Sequence, residues 1–275
     1  PLPAGGLTVL QMLRVLDGLD TPRGAGNDVD LIHLLVEVSK VCWRERLTRC
    51  GDPEAVAIDQ HAELSTARVG ALQEDVRAGL RSPQRGAIIA PDPLLTGTAH
   101  LCTADRHGNV VSVTTTLGGS FGSLLAVPGT GLVLGHGISR FDPRPGRPNS
   151  IGPRKRPLHN MSPILVVKDR QPLLAAGAAG GRTIVSTLLN GLVRLLDLGE
   201  PTDAAVSTTR YHIETAEPVT IEEGNEALAE GLSARGHMVA LRPRFGALQA
   251  IRVDAGPDVM TGVADPRRDG TVLWA

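Results

Sequence analysis

The strongest folding constraint in this sequence of 275 residues is a pair of β-rich segments that flank a short polar turn. The segments cover residues 98–105 and 110–116, and the residues between them are turn formers. Such an arrangement predicts a β-hairpin. With the segment ends facing each other across the turn, Thr98 lies opposite Thr116, at about 5 Å between Cβ atoms.

Two facing threonine hydroxyls suggest a nucleophile with a hydroxyl partner beside it. A threonine hydroxyl is a poor nucleophile until a base removes its proton. Threonine is also a common strand residue. The hairpin alone therefore leaves both interpretations open for Thr98 and Thr116, and it favours ordinary strand threonines.

Composition excludes several classes of function. The net charge is −1 and only 2% of residues are aromatic, which argues against a nucleic-acid partner. No apolar run is long enough for a membrane span, and the first residues lack signal-peptide character. Three cysteines without metal-ligand spacing predict free thiols in a reducing compartment, so we expect a cytoplasmic location. No cofactor motif is present, and we expect no cofactor.

Hydrophobic periodicity predicts helices before the hairpin and a mixture of helices and strands after it. The predicted helices cover 7–19, 29–48, 66–78, 184–198, 204–209 and 227–235. The predicted strands cover 131–134, 164–167, 173–176, 219–222, 248–253 and 260–264. Residues 82–96 and 141–153 are rich in Pro and Gly and are predicted to be loops, the first an exposed linker.

Three polar clusters admit more than one interpretation. His33, Glu37 and Lys40 fall near one helix face, where a polar stripe is favoured over a metal site. The cations of 154–156 fit a loop better than a nucleic-acid patch. The glycine-rich segment 177–181 opens a helix, but it lacks the spacing and the lysine of a phosphate-binding Walker motif.

The residues around Thr98 carry a family resemblance. Thr96-Gly97-Thr98-Ala99-His100 resembles the self-cleavage point of the γ-glutamyltransferase (γ-glutamyltranspeptidase) family of N-terminal-nucleophile hydrolases. Further segments match in the family's order: Gly108-Asn109, Val111–Thr114, Ser120–Ser123, Pro128–Gly131, Gly152–Leu158, Met161–Pro163, Gly177–Arg182 and Ala264–Arg267. The resemblance covers nearly the whole chain.

The resemblance implies an α+β fold, the αββα sandwich of N-terminal-nucleophile hydrolases. Residues 1–97 then match the end of the large subunit and 98–275 the small catalytic subunit, together forming one domain. By this resemblance the N-terminal half of the family fold is missing from this sequence, so either these residues are a fragment or a separate polypeptide carries the rest. We therefore expect a partner polypeptide that supplies that half, or the other subunit after processing.

The resemblance also implies self-cleavage between Gly97 and Thr98. Cleavage gives Thr98 a free α-amino group with a pKa near 7.7–8.0, which can act as base for its own hydroxyl. A glycine suits this position because it tolerates strain. By the same resemblance Thr116 is the hydroxyl partner, and Gly180 and Gly181 form the oxyanion hole.

The substrate-binding positions depart from the family pattern. Gly118 stands where the family has Asn, Gly137 where it has Gln and Arg140 where it has Asp, while His159-Asn160 replaces a serine pair. Several changes in one pocket predict a small-molecule amide or acyl substrate other than a γ-glutamyl compound.

Three hypotheses follow for the function. The first is a hydrolase or acyltransferase of this family with altered specificity, for example an acylase or a biosynthetic enzyme. The second is a true γ-glutamyltransferase or glutathione hydrolase with variant contacts. The third is a non-catalytic truncated homologue. Cleavage before Thr98 separates the two enzymes from the third hypothesis.

Overall fold

The computed structural model describes residues 2–22, 28–83, 97–253 and 259–274. Most of the predicted linker 82–96 lies outside the described residues. The six helices of the described chain are α1 (Gly6–Leu16), α2 (Asp28–Arg49), α3 (Thr66–Arg81), α4 (Ile184–Leu192), α5 (Thr202–Ser207) and α6 (Glu226–Ala234). Its strands are β1 (Thr98–Ala104), β2 (Val110–Thr116), β3 (Ile164–Lys168), β4 (Gln171–Ala179), β5 (Tyr211–His212), β6 (Val219–Glu222), β7 (Val239–Arg242), β8 (Ala247–Val253) and β9 (Met260–Ala264).

These elements form two compact units. The first combines Pro1–Asp92, Phe141–His159 and Thr209–Arg244, and the second combines Pro93–Arg140, Asn160–Thr208 and Phe245–Ala275. The first unit thus takes residues from before and after position 98. The predicted division into 1–97 and 98–275, together forming one domain, stays a prediction.

The first unit is built around α2. Helices α1, α3 and α6 all contact it. Its apolar side chains Leu35 and Val38 are fully buried, and α1 contributes Val9 and Met12 to the core. Such burial is the main source of stability for packed helices. All three predicted N-terminal helices are confirmed, with ends shifted by three residues or fewer.

A three-stranded sheet completes the first unit. Strand β6 pairs antiparallel with β5 and parallel with β7, and α6 forms the crossover between the parallel strands. The sequence pattern predicted β6 and α6 but missed β5 and β7. Strand β5 has only two residues, which is too short for an alternation to show.

The loop that carries 154–156 also belongs to the first unit. Lys155 donates to the carbonyls of Pro148 and Ser150, and Arg156 pairs with Asp52. Asp52 accepts both side-chain and backbone hydrogen bonds from Arg156, which holds the pKa of its carboxyl far below the usual range. These cations therefore fix the loop, as the loop interpretation expects.

The second unit contains two antiparallel sheets and a helical layer. The predicted hairpin β1–β2 forms with Thr98 opposite Thr116, so its predicted register is confirmed. The other sheet has the order β3-β4-β8-β9. Hairpin β1–β2 packs against β4 and β8, and α4 also packs against these two strands. This is the helix–sheet–sheet stacking of the predicted αββα sandwich.

One predicted strand is wrong. Residues 131–134 were expected to form a short buried strand, but they form only an isolated bridge between Ala126 and Val133. Leu132 is 63% exposed. Gly129 and Gly131 have positive φ, so the backbone turns before the apolar run can extend along a sheet.

Helix α4 differs from its prediction in its last turns. The pattern predicted a helix over 184–198, whereas the α-helical hydrogen bonding ends at Leu192. A π-helical segment, Val193–Asp197, continues it.

Two further expectations concern membranes and thiols. None of the helices in the described ranges is both long and apolar enough to cross a bilayer. All three cysteines are free thiols; Cys42 and Cys50 are buried, and Cys102 is half-buried.

The hairpin predicts self-association of the chain. Its inward positions pack on the second sheet, while Leu101, Val111 and Val113 on the outward face are 41–51% exposed. No other strand of the described ranges pairs with β1 or β2. Unpaired edges and apolar sheet surface favour association. We expect concentration-dependent oligomers by light scattering, reduced in the double variant Leu101→Lys/Val113→Lys.

Leu273→Lys is the matched control, since Leu273 is also exposed but lies outside the hairpin. It should leave the oligomer distribution unchanged. A monodisperse monomer at all concentrations would contradict the prediction.

Candidate active site

The hairpin brings two hydroxyls together at its open end. Along β1, alternate side chains face the second sheet, and Thr98 is the first of them and is buried. Its partner across the ladder is Thr116. The two Oγ1 atoms are 2.7 Å apart, a short hydrogen bond between hydroxyls.

The Thr116 hydroxyl is the centre of a small hydrogen-bond network. It accepts from the backbone N–H of Gly118 at 2.9 Å and donates to the Gly97 carbonyl oxygen at 3.3 Å. Its remaining lone pair is available to the Thr98 hydroxyl proton. The Gly97 oxygen also accepts from the Leu117 N–H at 2.9 Å. The carbonyl that precedes Thr98 is therefore held by two donors.

His100 lies two residues from Thr98 on the same strand face but is engaged elsewhere. Its Nδ1 atom is 2.8 Å from the Thr114 hydroxyl. Its Nε2 atom is 3.2 Å from the Cys102 sulfur and 3.4 Å from the Ser112 hydroxyl. Burial lowers the pKa of His100 to about 4 and raises that of Cys102 to about 11. Near neutral pH the side chains of His100 and Cys102 are therefore uncharged.

The His100 ring joins the hairpin to the second sheet. It occupies the space above Gly177 of β4, where any Cβ would overlap the ring. Ser112 strengthens the same contact by donating to the Ala176 carbonyl at 2.9 Å. Strand β1 begins two residues before His100, and β4 ends two residues after Gly177, immediately before the Gly180 turn.

Gly180 and Gly181 have backbone conformations that other residues rarely adopt. Their φ angles are +143° and +64°. Thr183 donates to the Gly180 carbonyl from its N–H at 3.2 Å and from its hydroxyl at 2.9 Å. A Cβ on Gly180 would lie 2.5 Å from the Thr183 hydroxyl oxygen. This rigid glycine turn leads into α4.

The predicted substrate residues Gly118, Gly137 and Arg140 lie in the chain that follows Thr116. Gly118 has φ +87°, and a Cβ there would approach the His136 side chain at 3.1 Å. The His136 N–H donates to the Leu117 carbonyl at 2.6 Å, which brings this loop beside the end of β2. Gly137–Arg140 then forms a short 3-10 turn with Arg140 half-buried.

His159 and Asn160 belong to different units. His159, in the first unit, donates from its backbone N–H to the Pro3 carbonyl and accepts from Arg46 at its own carbonyl. Asn160, in the second unit, accepts from the Ser162 hydroxyl at its carbonyl. Their role in substrate binding stays a prediction.

Sequence reasoning missed Arg268. Its guanidinium Nη1 donates to the Thr98 carbonyl at 3.4 Å. The buried carboxylate of Asp265 shapes this turn by accepting from the N–H groups of Leu248 and Arg267. Segment 264–267 resembles the family, so the sequence pointed to the residues next to Arg268 but not to Arg268.

The chain is similar over its whole length to known proteins. The family model described as gamma-glutamyltranspeptidase matches residues 1–275. The glutathione hydrolase proenzyme of Escherichia coli (strain K12) is 30% identical over 283 residues, covering 97% of this chain and 48% of that protein. The acylase ACY 1 proenzyme of Pseudomonas sp. (strain SE83) is 34% identical over 278 residues, covering 98% and 48%. The crystal structure of cephalosporin acylase from Bacillus halodurans superposes with a TM-score of 0.83 at 26% identity, covering 100% of this chain and 50% of that chain.

The fold is therefore that of the N-terminal-nucleophile hydrolases. Within that class, the chain belongs to the gamma-glutamyltranspeptidase family. It spans about half the length of the curated relatives it matches.

The contact between His100 and Gly177 predicts an energetic coupling. Gly177→Ala forces a methyl group into the ring and should destabilise the fold by about 1–3 kcal/mol. In the double variant His100→Ala/Gly177→Ala the methyl enters vacated space, so the loss should be smaller than the sum of the single losses by about 0.5–3 kcal/mol. Urea unfolding of the four proteins measures this.

Gly70→Ala is the control, because a Cβ at Gly70 meets nothing within 4 Å and the site is helical. It should be neutral or slightly stabilising. Additive losses for His100→Ala and Gly177→Ala would disprove the coupling.

Proposed function

We propose that this chain is a self-processing hydrolase or acyltransferase with Thr98 as its nucleophile. The observation that carries the proposal is the 2.7 Å contact between the hydroxyls of Thr98 and Thr116, beside the carbonyl of Gly97. A glutathione hydrolase and an acylase among the relatives support an enzyme that cleaves amide bonds.

The first step is self-cleavage. The Thr98 Oγ attacks the Gly97 carbonyl carbon, and the bond from that carbon to the Thr98 nitrogen breaks as the ester forms. The hydroxyl proton passes to the departing nitrogen. The oxygen that becomes negative is the Gly97 oxygen, where the Leu117 N–H and the Thr116 hydroxyl already donate. Water then hydrolyses the ester and frees the Thr98 hydroxyl.

Cleavage supplies the base for turnover. The new α-amino group of Thr98 takes the hydroxyl proton while Oγ attacks the substrate carbonyl. The leaving amine takes that proton, and water or an amine acceptor later releases the acyl group. His100 is not needed as base, since both its ring nitrogens face other side chains.

The glycine turn is suited to hold the developing oxyanion. Gly180 and Gly181 begin a helix, so backbone N–H groups there have no partner inside that helix. The helix dipole favours negative charge at this end. We assign the tetrahedral intermediate of turnover to this turn, which begins three residues after the glycine that the His100 ring packs against.

The proposed substrate is an amide whose acyl group is not γ-glutamyl. Gly118 offers no side chain, and its positive φ together with the nearby His136 disfavours one. Gly137 likewise offers no amide. Arg140 places a cation where the family pattern has a carboxylate, so the preferred acyl group carries an anion or no charge at that point. The acylase relatives support such breadth.

The nucleophile is tested by intact-mass measurement and turnover. Thr98→Ala removes the attacking oxygen and should abolish both cleavage and turnover. Thr98→Ser keeps a hydroxyl and should retain part of each. Thr116→Ala removes a donor to Gly97 and should slow cleavage by about 10²-fold or more, as for loss of one oxyanion donor.

Thr115→Ala is the matched control, because Thr115 is adjacent in β2 but faces outward. It should cleave normally. A Thr98→Ala chain that still breaks before position 98 would end the proposal, and an uncut wild-type chain would favour the non-catalytic hypothesis.

Specificity is tested by steady-state kinetics with a chromogenic γ-glutamyl anilide and a matched dicarboxylate-type anilide. Two like charges about 4 Å apart repel by roughly 4 kcal/mol at an effective dielectric of 20. Arg140→Asp should therefore raise kcat/KM for the γ-glutamyl compound by about 10-fold or more, even with solvent screening, and lower it for the dicarboxylate.

The control is Arg106→Asp, which changes an exposed arginine in the turn at the opposite end of the hairpin. It should leave kcat/KM unchanged for both the γ-glutamyl anilide and the dicarboxylate-type anilide. Efficient wild-type turnover of the γ-glutamyl anilide, with no effect of Arg140→Asp, would refute the altered pocket and favour a true γ-glutamyltransferase.

A further inference from the structure

We propose that the buried cluster of His33, Glu37 and His237 in the first unit binds a divalent transition-metal ion of the Zn²⁺ type. One ligand atom from each residue lies within 4.8 Å of the others. All three side chains are buried, with the two imidazoles coming from chain segments 204 residues apart. This site is separate from the threonine chemistry and does not depend on the proposed function.

The two imidazoles face each other in a way that requires a cation or a proton between them. His33 Nδ1 and His237 Nε2 are 2.8 Å apart. The outer nitrogen of His237, Nδ1, is 2.9 Å from a Glu217 carboxylate oxygen, which can only accept. The Leu80 backbone also accepts a hydrogen bond from the His33 ring. The other ring nitrogen of His33, Nδ1, therefore faces His237. With both outer nitrogens donating, each neutral ring presents a lone pair to the other.

The donor set suits zinc. Two imidazoles and a carboxylate form a common zinc site with one open position. A tetrahedral ion with bonds of about 2.0–2.1 Å holds its ligand atoms about 3.3 Å apart. His237 Nε2 is 2.8 Å from the His33 nitrogen and 3.9 Å from Glu37 Oε1. Shifts of about half an ångström would bring these two distances to that spacing, and the third separation, between the His33 and Glu37 ligand atoms, is within 4.8 Å.

The surroundings of His237 match those of a metal ligand. Metal-bound imidazoles generally donate their second N–H to a carboxylate or a carbonyl, which fixes the tautomer and the ring. Glu217 does this for His237, and the Leu80 backbone for His33. Glu37 Oε1 is buried, and its partner is the ammonium of Lys40.

Lys40 is the group that opposes a metal ion. Its ammonium lies 2.5 Å from Glu37 Oε1 and 3.4 Å from Glu217 Oε1. One lysine and two glutamates leave one net negative charge, so a divalent ion brings the cluster to one net positive charge. Binding therefore displaces Lys40 from Glu37 or releases its proton. Replacing Lys40 by a neutral residue should strengthen metal binding, which a site for a proton alone does not predict.

The test uses the purified chain after dialysis against a chelator. Co²⁺ should bind at one ion per chain and give the visible absorption of a four-coordinate ion, and Zn²⁺ should displace it. Zn²⁺ should also raise the unfolding temperature. His33→Gln and His237→Gln should each weaken binding at least 10-fold, and Glu217→Gln about 10–100-fold. Lys40→Met should tighten binding.

His61→Gln is the matched control, since His61 is an exposed histidine of the same unit. It should leave affinity and stoichiometry unchanged, as should Thr98→Ala, which separates this test from the catalytic proposal. If a cluster variant does not fold, Lys40→Met and the wild-type stoichiometry decide. A folded chain that binds neither Co²⁺ nor Zn²⁺ would overturn the proposal. A proton would then lie between His33 Nδ1 and His237 Nε2. Binding that survives His33→Gln and His237→Gln would overturn it in favour of surface histidines.

Discussion

The packing of the β1–β2 hairpin on the second sheet positions the two threonine hydroxyls of the candidate active site. The His100 ring fills the space that Gly177 leaves open, and Ser112 bonds to the neighbouring Ala176 carbonyl. Because protein interiors are close-packed, this fit leaves little freedom for the hairpin to slide. Thr98 is thereby held on a strand, and the glycine turn at Gly180 directly follows the strand that His100 packs against.

Most of this fold could be predicted from local pattern. The hairpin register followed from placing the two segment ends opposite each other across the turn. A shift of the strand pairing by one residue would move every side chain to the other face of the sheet. Helix α2 was equally clear from its spacing. The failures at 131–134 and at β5 have different causes. The backbone turns at Gly129 and Gly131 before the apolar run can extend along a sheet, and β5 has only two residues, too few for an alternation to show.

The candidate site divides in the same way. Thr98 and Thr116 face each other within one hairpin, so the sequence alone could bring them together. The oxyanion role of Gly180 came only from the family resemblance. Arg268 reaches Thr98 from 170 residues away, and His237 reaches His33 from 204. Contacts of that separation are set by the assembled fold and leave no periodic signal in the chain.

Chemistry and specificity are carried by different kinds of structure here. The hydroxyl pair belongs to a hairpin whose register is over-determined by backbone pairing and by the His100 packing. Gly118 and Arg140 belong to irregular chain after β2, anchored near its start by the His136 N–H on the Leu117 carbonyl. Substitution in such a loop changes charge and shape without disturbing the strands. A family scaffold can therefore keep its nucleophile while its acyl-binding residues change, which is the combination that we propose for this chain.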